Sequence, residues 1–189
     1  MDPEERDLVR AARSGDEDAF RRLVERTQSR LTRLLRGMVR DDDEAMDLVQ
    51  ETYIKAHRSL DTFREGSAFG TWLHRIGVNA AIDQLRKRAA LAESSLEGAS
   101  SAEGDAPDPA GAAERPTPDR LLEGEEAGKA LRRAMGSMPP EHKATILLRE
   151  LEGLSYEEIA EITGAAVGTV MSRLFYVRRK LREALREHR

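Results

Sequence analysis

The sequence predicts an all-α fold: two small helical domains joined by a flexible acidic linker, the second domain containing a helix-turn-helix. Three observations support this prediction. Apolar residues recur at spacings of three and four, and they do not alternate with the period of two that marks a half-buried strand. Residues 91–119 are rich in Ala, Gly, Ser and Pro and have no such period, which indicates a linker. Residues 154–185 contain two short helical patterns separated by a glycine. The predicted domains are therefore residues 1–90 and 120–189.

Composition excludes several classes of function. The chain has no cysteine and only four scattered histidines, so we expect no disulfide framework, no metal site and no cofactor. No nucleophile stands beside a base in a recognisable pattern, so we expect no catalytic residues and no enzyme. Apolar runs are too short to span a membrane, and the N-terminus is acidic where a signal peptide would be basic. These features predict a soluble cytoplasmic protein without membrane insertion.

The first domain begins with two helical patterns. A short charged helix over residues 4–15 ends at a Ser-Gly pair, and Asp16 or Asp18 then caps a longer core helix. The acidic run at residues 41–44 is typical of an exposed helix start, where the helix dipole favours carboxylates.

The third helix, over residues 44–57, has two distinct faces. Its inward positions are Ala45, Leu48, Val49, Thr52 and Ala56, and its outward positions include Asp47, Gln50 and Glu51. This outward face is either plain solvated surface or a docking face for a basic partner helix, where charge pairs set the register. Composition leaves both interpretations open.

Aromatic and polar residues suited to single-stranded DNA follow. Phe63 and Arg64 lie outside any helical period, so Phe63 either packs under the helices or stacks on an unpaired base. A helix over residues 67–88 places Trp72 on its apolar side, which favours a core position, although an aromatic beside cations also suits melted DNA. The polar and then basic stripe of this helix comprises Asn79, Asp83, Arg86, Lys87 and Arg88.

The second domain is predicted to hold two supporting helices before the helix-turn-helix. They begin near Arg120 and are separated at Pro139-Pro140, which fits a helix start. Ser155 and Glu158 have the spacing of a capping box at the start of the next helix. Gly164 can adopt the left-handed backbone that ends this helix in a sharp turn.

The last helix has an apolar stripe on one side and polar groups on the other. The apolar stripe is Val170, Leu174, Val177, Leu181 and Leu185, and the opposite face carries Thr169, Ser172, Arg173, Tyr176, Arg179 and Lys180. Residues 169–189 hold seven Arg or Lys against two Glu, in a chain with a net charge of −4. Small polar groups followed by cations favour insertion into the DNA major groove over a merely solvated helix.

Two blocks of the sequence resemble the extracytoplasmic-function sigma factors, the small bacterial transcription initiation factors. Residues 138–181 (MPPEHKATILLRELEGLSYEEIAEITGAAVGTVMSRLFYVRRKL) resemble their fourth region. The earlier blocks DEAMDLVQETYIKAH and FREGSAFGTWLHRIGVNAAIDQLRKR resemble the polymerase-docking helix and the part that opens and binds the minus-10 element. The resemblance covers about residues 16–88 and 120–186, in the same order as in the family.

The resemblance implies a role for each candidate residue. Asp47, Gln50 and Glu51 would contact the coiled coil of the largest subunit of core RNA polymerase. Phe63, Arg64, Asn79 and Asp83 would bind the minus-10 element, and Arg86, Lys87 and Arg88 would hold its phosphates. Thr169, Ser172 and Arg173 would face the minus-35 element, with Arg178 and Arg179 on phosphates. The implied partners are core RNA polymerase, promoter DNA and, for some members, an anti-sigma factor.

Two departures and one rival function accompany this resemblance. Tyr176 stands where members often carry a cation, and Ala165-Ala166 replaces a common Val-Pro pair. The rival is a stand-alone helix-turn-helix regulator whose N-terminal domain senses a ligand or dimerises.

Overall fold

All regular structure in the described part of the chain is helical, which confirms the predicted fold class. The computed structural model describes residues 2–39, 41–64, 66–95 and 118–186. The helices are α1 (Pro3–Arg13), α2 (Glu17–Met38), α3 (Asp42–Arg58), α4 (Phe69–Ser95), α5 (Pro118–Gly136), α6 (Pro140–Glu150), α7 (Tyr156–Thr163) and α8 (Val167–Ala184), with a 3-10 turn at Leu60–Thr62. Most of the predicted linker, residues 96–117, lies outside the described residues. None of the described helices is long and apolar enough to cross a membrane.

Helices α1 to α4 form a first unit around one apolar core. The Asp16 carboxylate caps α2 by accepting from the backbone N–H groups of Asp18 and Ala19 at 2.9 and 3.0 Å. Asp41 caps α3 in the same way through the N–H of Glu44. The inward positions predicted for α3 are confirmed, since Ala45, Leu48, Val49, Thr52 and Ala56 are all buried. Because these positions are buried, Asp47, Gln50 and Glu51 lie on the solvent side of α3.

The end of α4 differs from the prediction. We expected the helix to stop at Arg88, yet it continues to Ser95. Residues 89–95 are mostly Ala, Leu, Glu and Ser. Ala and Leu are strong helix formers, so continuing an existing helix through them costs little free energy. The composition typical of a linker thus begins before the helix ends.

Helices α5 to α8 form a second unit that contains the predicted helix-turn-helix. The Ser155 hydroxyl accepts from the N–H of Glu158 at 3.2 Å, and the Glu158 carboxylate accepts from the N–H of Ser155 at 2.8 Å, which confirms the capping box. Gly164 ends α7 with a φ of +63°, in the left-handed region that favours glycine. On α8, Val170, Leu174 and Val177 are buried.

Phe63 belongs to the core of the first unit. Its side chain is only 2% exposed. The ring meets Trp72 at 5.3 Å and Phe69 at 6.0 Å between centroids, both edge to face. Of the two interpretations that the sequence left open, this arrangement is the packed one, because a base has no access to a ring buried in this way.

Truncation of Phe63 tests this placement. We expect Phe63→Ala to lower the free energy of unfolding by about 3 to 5 kcal/mol, since it empties a buried aromatic site. The neighbouring Arg64 is exposed, so Arg64→Ala serves as the control and should change stability by less than about 0.5 kcal/mol. Urea denaturation followed by circular dichroism measures both. Equal stability of the two variants would place Phe63 outside the core.

Candidate nucleic-acid interface

The outer face of α8 presents a polar, an aromatic and a basic side chain side by side. Successive helical residues turn by about 100°, so Ser172, Phe175 and Arg179 lie opposite the buried stripe of this helix. All three are exposed, and Phe175 is 71% exposed, the largest value among the exposed apolar side chains of the described residues. Our sequence analysis missed Phe175 because an apolar residue in a helix suggests core. Its position opposite the apolar stripe was the signal that could have identified it.

Tyr176 contacts a cation of this face. It is 37% exposed, and its ring lies between the guanidinium group of Arg179, 5.8 Å from the ring centroid, and the ring of His142 at 5.3 Å. Arg178 points elsewhere and donates to Glu150 at 2.8 Å. That hydrogen bond raises the pKa of Arg178 above its ordinary value. Tyr176 therefore keeps Arg179 close to the outer face, whereas Arg178 is held at one side of the helix.

Other predicted residues of α8 lie at the edges of its outer face. Thr169 is exposed and accepts a hydrogen bond from the Ser172 hydroxyl at 2.9 Å through its carbonyl. Lys180 is half-buried. Arg173 is also half-buried, and its Nη1 atom is buried without a hydrogen-bond partner among the described residues. Its charge acts on Glu141 and His142 at the start of α6. In this arrangement Arg173 faces α6 and does not share the open surface of Ser172.

A second polar stripe runs along α4. Trp72, Asn79, Asp83 and Arg86 share one side of the helix, with Lys87 at its edge. Asn79, Asp83, Arg86 and Lys87 are exposed, and Trp72 is half-buried. The exposed Arg75 occupies the same side and was missed in the sequence analysis, although its spacing of four residues from Asn79 gives the signal.

Arg88 does not join this stripe. It lies on the other side of α4, where its Nη1 atom approaches the Glu44 carboxylate at 3.4 Å. Glu44 also accepts a hydrogen bond from Gln84 at 2.7 Å. Three consecutive basic residues at 86–88 therefore point in different directions, as a helix requires.

The outward face of α3 combines polar residues with one apolar side chain. Asp47, Gln50 and Glu51 are exposed, and Glu51 pairs with Lys55 at 2.7 Å. Ile54 lies on the same side, four residues after Gln50, and is 51% exposed. An apolar side chain surrounded by polar groups is the usual composition of a docking surface.

The two units pack against each other along what we call the seam, where α4 contacts α6 and α7 and α2 contacts α6. Lys143 of α6 is buried there, and its ammonium group donates to the carbonyl of Met38 at 3.1 Å. Met38 is the last residue of α2, whose carbonyl lacks an intrahelical partner. A cation at this end also suits the helix dipole. The second unit thus caps a helix of the first.

A buried carboxylate forms the next contact of the seam. The Glu152 side chain is 2% exposed and meets Arg33 at 3.3 Å and the Nε2 atom of His74 at 3.9 Å. Burial lowers the pKa of His74 below its ordinary value; the Glu152 charge opposes this shift and the Arg30 charge adds to it. His74 is therefore mainly neutral at pH 7.

Glu141 of α6 makes the third contact, with Arg86 of the α4 stripe. The Nε atom of Arg86 donates to Glu141 Oε1 at 2.9 Å, and Nη2 donates to the same oxygen. Burial by itself would raise the pKa of Glu141, but hydrogen bonds from its own backbone N–H and from Arg86 outweigh burial and lower it. The contact is thus an ionised pair between a predicted DNA-binding residue and the second unit.

Comparison with known proteins finds the same two blocks. Residues 23–90 match the family model of sigma-70 region 2, and residues 128–181 match that of sigma-70 region 4. The chain is 43% identical over 172 residues to the ECF RNA polymerase sigma-E factor of Escherichia coli K12, covering 90% of this chain and 88% of that protein. It is 37% identical over 185 residues to the RNA polymerase sigma-H factor of Pseudomonas aeruginosa, covering 96% and 94%.

Two solved structures resemble the whole arrangement. One is the sigma factor RpoE in complex with the anti-sigma factor NepR from Bartonella quintana, with a TM-score of 0.67, 28% identity, and coverage of 90% of this chain and 98% of that one. The other is CnrH in complex with the cytosolic domain of CnrY, with a TM-score of 0.66, 26% identity, and coverage of 96% and 97%.

The match to the region 2 model also bears on the rival function. Because residues 23–90 match this model, a sensing or dimerisation domain at that place is not favoured.

The lowered pKa of His74 predicts how stability depends on pH. In the unfolded chain His74 has the ordinary pKa of about 6.5, so near that pH it binds a proton more readily than it does in the folded chain. The free energy of unfolding should therefore be at its plateau above pH 7 and fall as the pH drops below about 6.5. Urea denaturation at pH 7.5 and 5.5 measures the loss.

One variant isolates the contribution of His74. His74→Asn should reduce the difference between the two pH values. The pKa of His142 is lowered too, so part of the pH dependence should remain in this variant. An identical pH dependence in the wild type and His74→Asn would contradict the assignment.

Proposed function

This chain belongs to the extracytoplasmic-function sigma factors, and we propose that it docks on core RNA polymerase through α3 and binds the minus-10 and minus-35 promoter elements through α4 and α8. The observation that carries this proposal is the outer face of α8, where Ser172, Phe175 and Arg179 are exposed together on the second helix of a helix-turn-helix. Its role is recognition of the promoter, without catalysis. Since it acts with RNA polymerase, we expect it to work in the cytoplasm.

The outward face of α3 fits docking on polymerase. Asp47, Gln50 and Glu51 would set the register with polar contacts, and Ile54 would supply the apolar anchor that such surfaces need. None of the four is required for the core of the first unit, since their side chains are exposed. A surface of this kind binds a partner at little cost to folding.

The α4 stripe fits a melted minus-10 element. Asn79 and Asp83 offer hydrogen bonds to unpaired base edges, while Arg75 and Arg86 would hold the strand by its phosphates. Arg64 is exposed in the loop before α4 and extends the basic groups toward it. With Phe63 buried, Trp72 is the aromatic ring of this surface that is partly accessible.

The outer face of α8 fits the major groove at the minus-35 element. The Ser172 hydroxyl can bond to base edges, and the Phe175 ring can contact thymine methyl groups. Arg179, next to Tyr176, would hold a backbone phosphate. The edge residues Thr169 and Lys180 would extend the contacts along the groove.

An anti-sigma factor is a further proposed partner. The sigma factor RpoE, which shares the arrangement of both units, was solved in complex with the anti-sigma factor NepR, and CnrH, which shares it too, was solved with the cytosolic domain of CnrY. We infer that a protein of this class can bind the present chain with its units packed together.

The docking face on α3 can be tested by reversing one charge and truncating one apolar side chain. Asp47→Arg and Ile54→Ala should each weaken binding to core polymerase, because they remove a polar contact and the apolar anchor, while thermal stability stays within about 0.5 kcal/mol of the wild type. Asp7→Arg makes the same charge change at an exposed position on α1 and should bind normally. Fluorescence titration with core enzyme measures the affinities. Normal affinity of both α3 variants would remove the docking assignment.

Base contacts and phosphate contacts on α8 should separate by mutation. Phe175→Ala should relax the preference at one or two minus-35 base pairs and leave the salt dependence unchanged, because it removes an apolar contact with a base. Arg179→Ala should weaken binding to all sequences alike and reduce the salt slope by about one. Binding of the reconstituted holoenzyme to a set of minus-35 variants at several salt concentrations distinguishes them. If both variants lose affinity in the same pattern, the assignment of the outer face is wrong.

A further inference from the structure

Helix α1 lies before the residues that match the region 2 model, yet it contacts the segment that leads to α4. The match begins at residue 23, whereas α1 ends at Arg13. The Nη2 atom of Arg13 donates to the backbone carbonyl of Asp61 at 3.0 Å. Its Nε atom also lies 3.9 Å from the Asp61 carboxylate. These contacts join parts of the chain that are 48 residues apart.

Asp61 belongs to a short segment, residues 60–64, which we call the entry turn. The segment begins with the 3-10 turn that follows α3. The carbonyls of Ser59 and Leu60 accept from N–H groups within this turn, at 2.9 and 3.1 Å. The carbonyl of Asp61, the next along the chain, accepts instead from Arg13. Helix α1 therefore supplies a donor where the hydrogen bonds of the turn end.

The entry turn is held from two sides. On its inner side the buried ring of Phe63 packs against Trp72. On its outer side Arg13 holds the carbonyl two residues earlier. Thr62 and Arg64, which flank the buried ring, are exposed. The two anchors together determine where these exposed side chains lie relative to α4.

The burial pattern suits a contact that positions a surface and adds little to folding. Helix α1 is itself firmly placed, because Leu8 and Val9 are buried in the core. The Arg13 side chain is 35% exposed, whereas that of Asp61 is 89% exposed. Water can therefore replace Arg13 at Asp61 at a small cost in free energy. Without Arg13, the turn would keep only its anchor at Phe63.

Arg13 also places a cation beside the acidic side chain of the turn. An unpaired carboxylate here would repel a DNA strand, because both are anions. The Arg13 guanidinium, 3.9 Å from the Asp61 carboxylate, offsets this repulsion. Hydrogen bond and charge thus act in the same direction.

We propose that Arg13 is a positioning residue: by holding the Asp61 carbonyl, α1 keeps the entry turn in the conformation that presents Arg64 to an unpaired strand of the minus-10 element. This rests on the proposed function, because it takes the turn and α4 as the minus-10 surface. A loop that is already ordered in its bound conformation loses less entropy on association and so binds more tightly. Arg13 acts through Asp61 and does not itself contact DNA.

Binding of single-stranded DNA to the reconstituted holoenzyme tests this role. Selection by the wild type from a randomised single-stranded pool identifies a preferred strand, and a scrambled strand of the same composition is the reference. Arg13→Ala should reduce the preference about three- to tenfold, the effect of losing one hydrogen bond that orders the turn. Arg13→Lys keeps a charged donor and should restore part of it. Affinity for the scrambled strand and for core polymerase should not change.

Arg22→Ala is the matched control. Arg22 is exposed and joins α1 to α2 through Glu4 at 2.8 Å, in an ion pair that does not involve the entry turn. If α1 serves as a support for the turn through Arg13, loss of the Arg22 pair should leave the strand preference unchanged.

Trp72 provides a second measurement that needs neither DNA nor polymerase. It is the only tryptophan of the sequence, and its ring centroid lies 5.3 Å from that of Phe63. When Arg13→Ala releases the turn, acrylamide should quench Trp72 fluorescence more strongly than in the wild type. Arg22→Ala should leave the quenching unchanged.

Three results would overturn the inference. An unchanged strand preference in Arg13→Ala, with or without a change in quenching, would mean that DNA binding needs no support from α1. Equal weakening on the preferred and scrambled strands would mean that Arg13 binds a phosphate directly. Equal losses in Arg13→Ala and Arg22→Ala would mean that α1 only stabilises the first unit. Failure of the proposed function is recognised separately, because the wild-type holoenzyme would then select no strand from the pool.

Discussion

Helix α4 is buried on two sides, and this double burial determines where its polar side chains can lie. One side completes the core of the first unit against α2 and α3, and another rests on α6 and α7. Its buried apolar residues are Phe69, Leu73, Val78, Ala81 and Ile82. Between Phe69 and Leu85 the exposed residues of this helix are only Arg75, Asn79 and Asp83, which lie on one side, and Arg86 follows on the same side. The same helix therefore carries the proposed minus-10 surface and half of the seam.

Much of the fold could be predicted because its signals are local. The inward face of α3 follows from helical spacing, and the capping box at Ser155 and the turn at Gly164 each involve residues within one helical turn. The contacts of the seam have no such local signal in the sequence. Its partners are 55 residues apart for Arg86 and Glu141, 105 for Lys143 and Met38, and 119 for Arg33 and Glu152. Contacts at these separations depend on how formed helices pack, which no periodicity encodes.

Aromatic and apolar residues were the hardest to assign from the sequence. Phe63 has no helical period, so nothing local distinguished a core ring from an exposed one. It is buried because the ring completes a cluster with Phe69 and Trp72, both several residues later in the chain. Phe175 and Ile54 show the opposite case, since each lies opposite the buried stripe of its helix and is exposed. Helical angle identifies the exposed pair, whereas Phe63 lies outside any helix and offers no such signal.

The carboxylates of the second unit differ in how permanent their contacts are. Glu152 is almost fully enclosed, so removing its partners would leave a buried charge at a large cost in free energy. Glu141 pairs with an Arg86 that is largely exposed, so water can replace either partner and a phosphate can replace the carboxylate. The weak pair therefore involves Arg86, a proposed DNA contact, and can be released, whereas the enclosed pair orients the two units and involves none of the proposed DNA-binding residues.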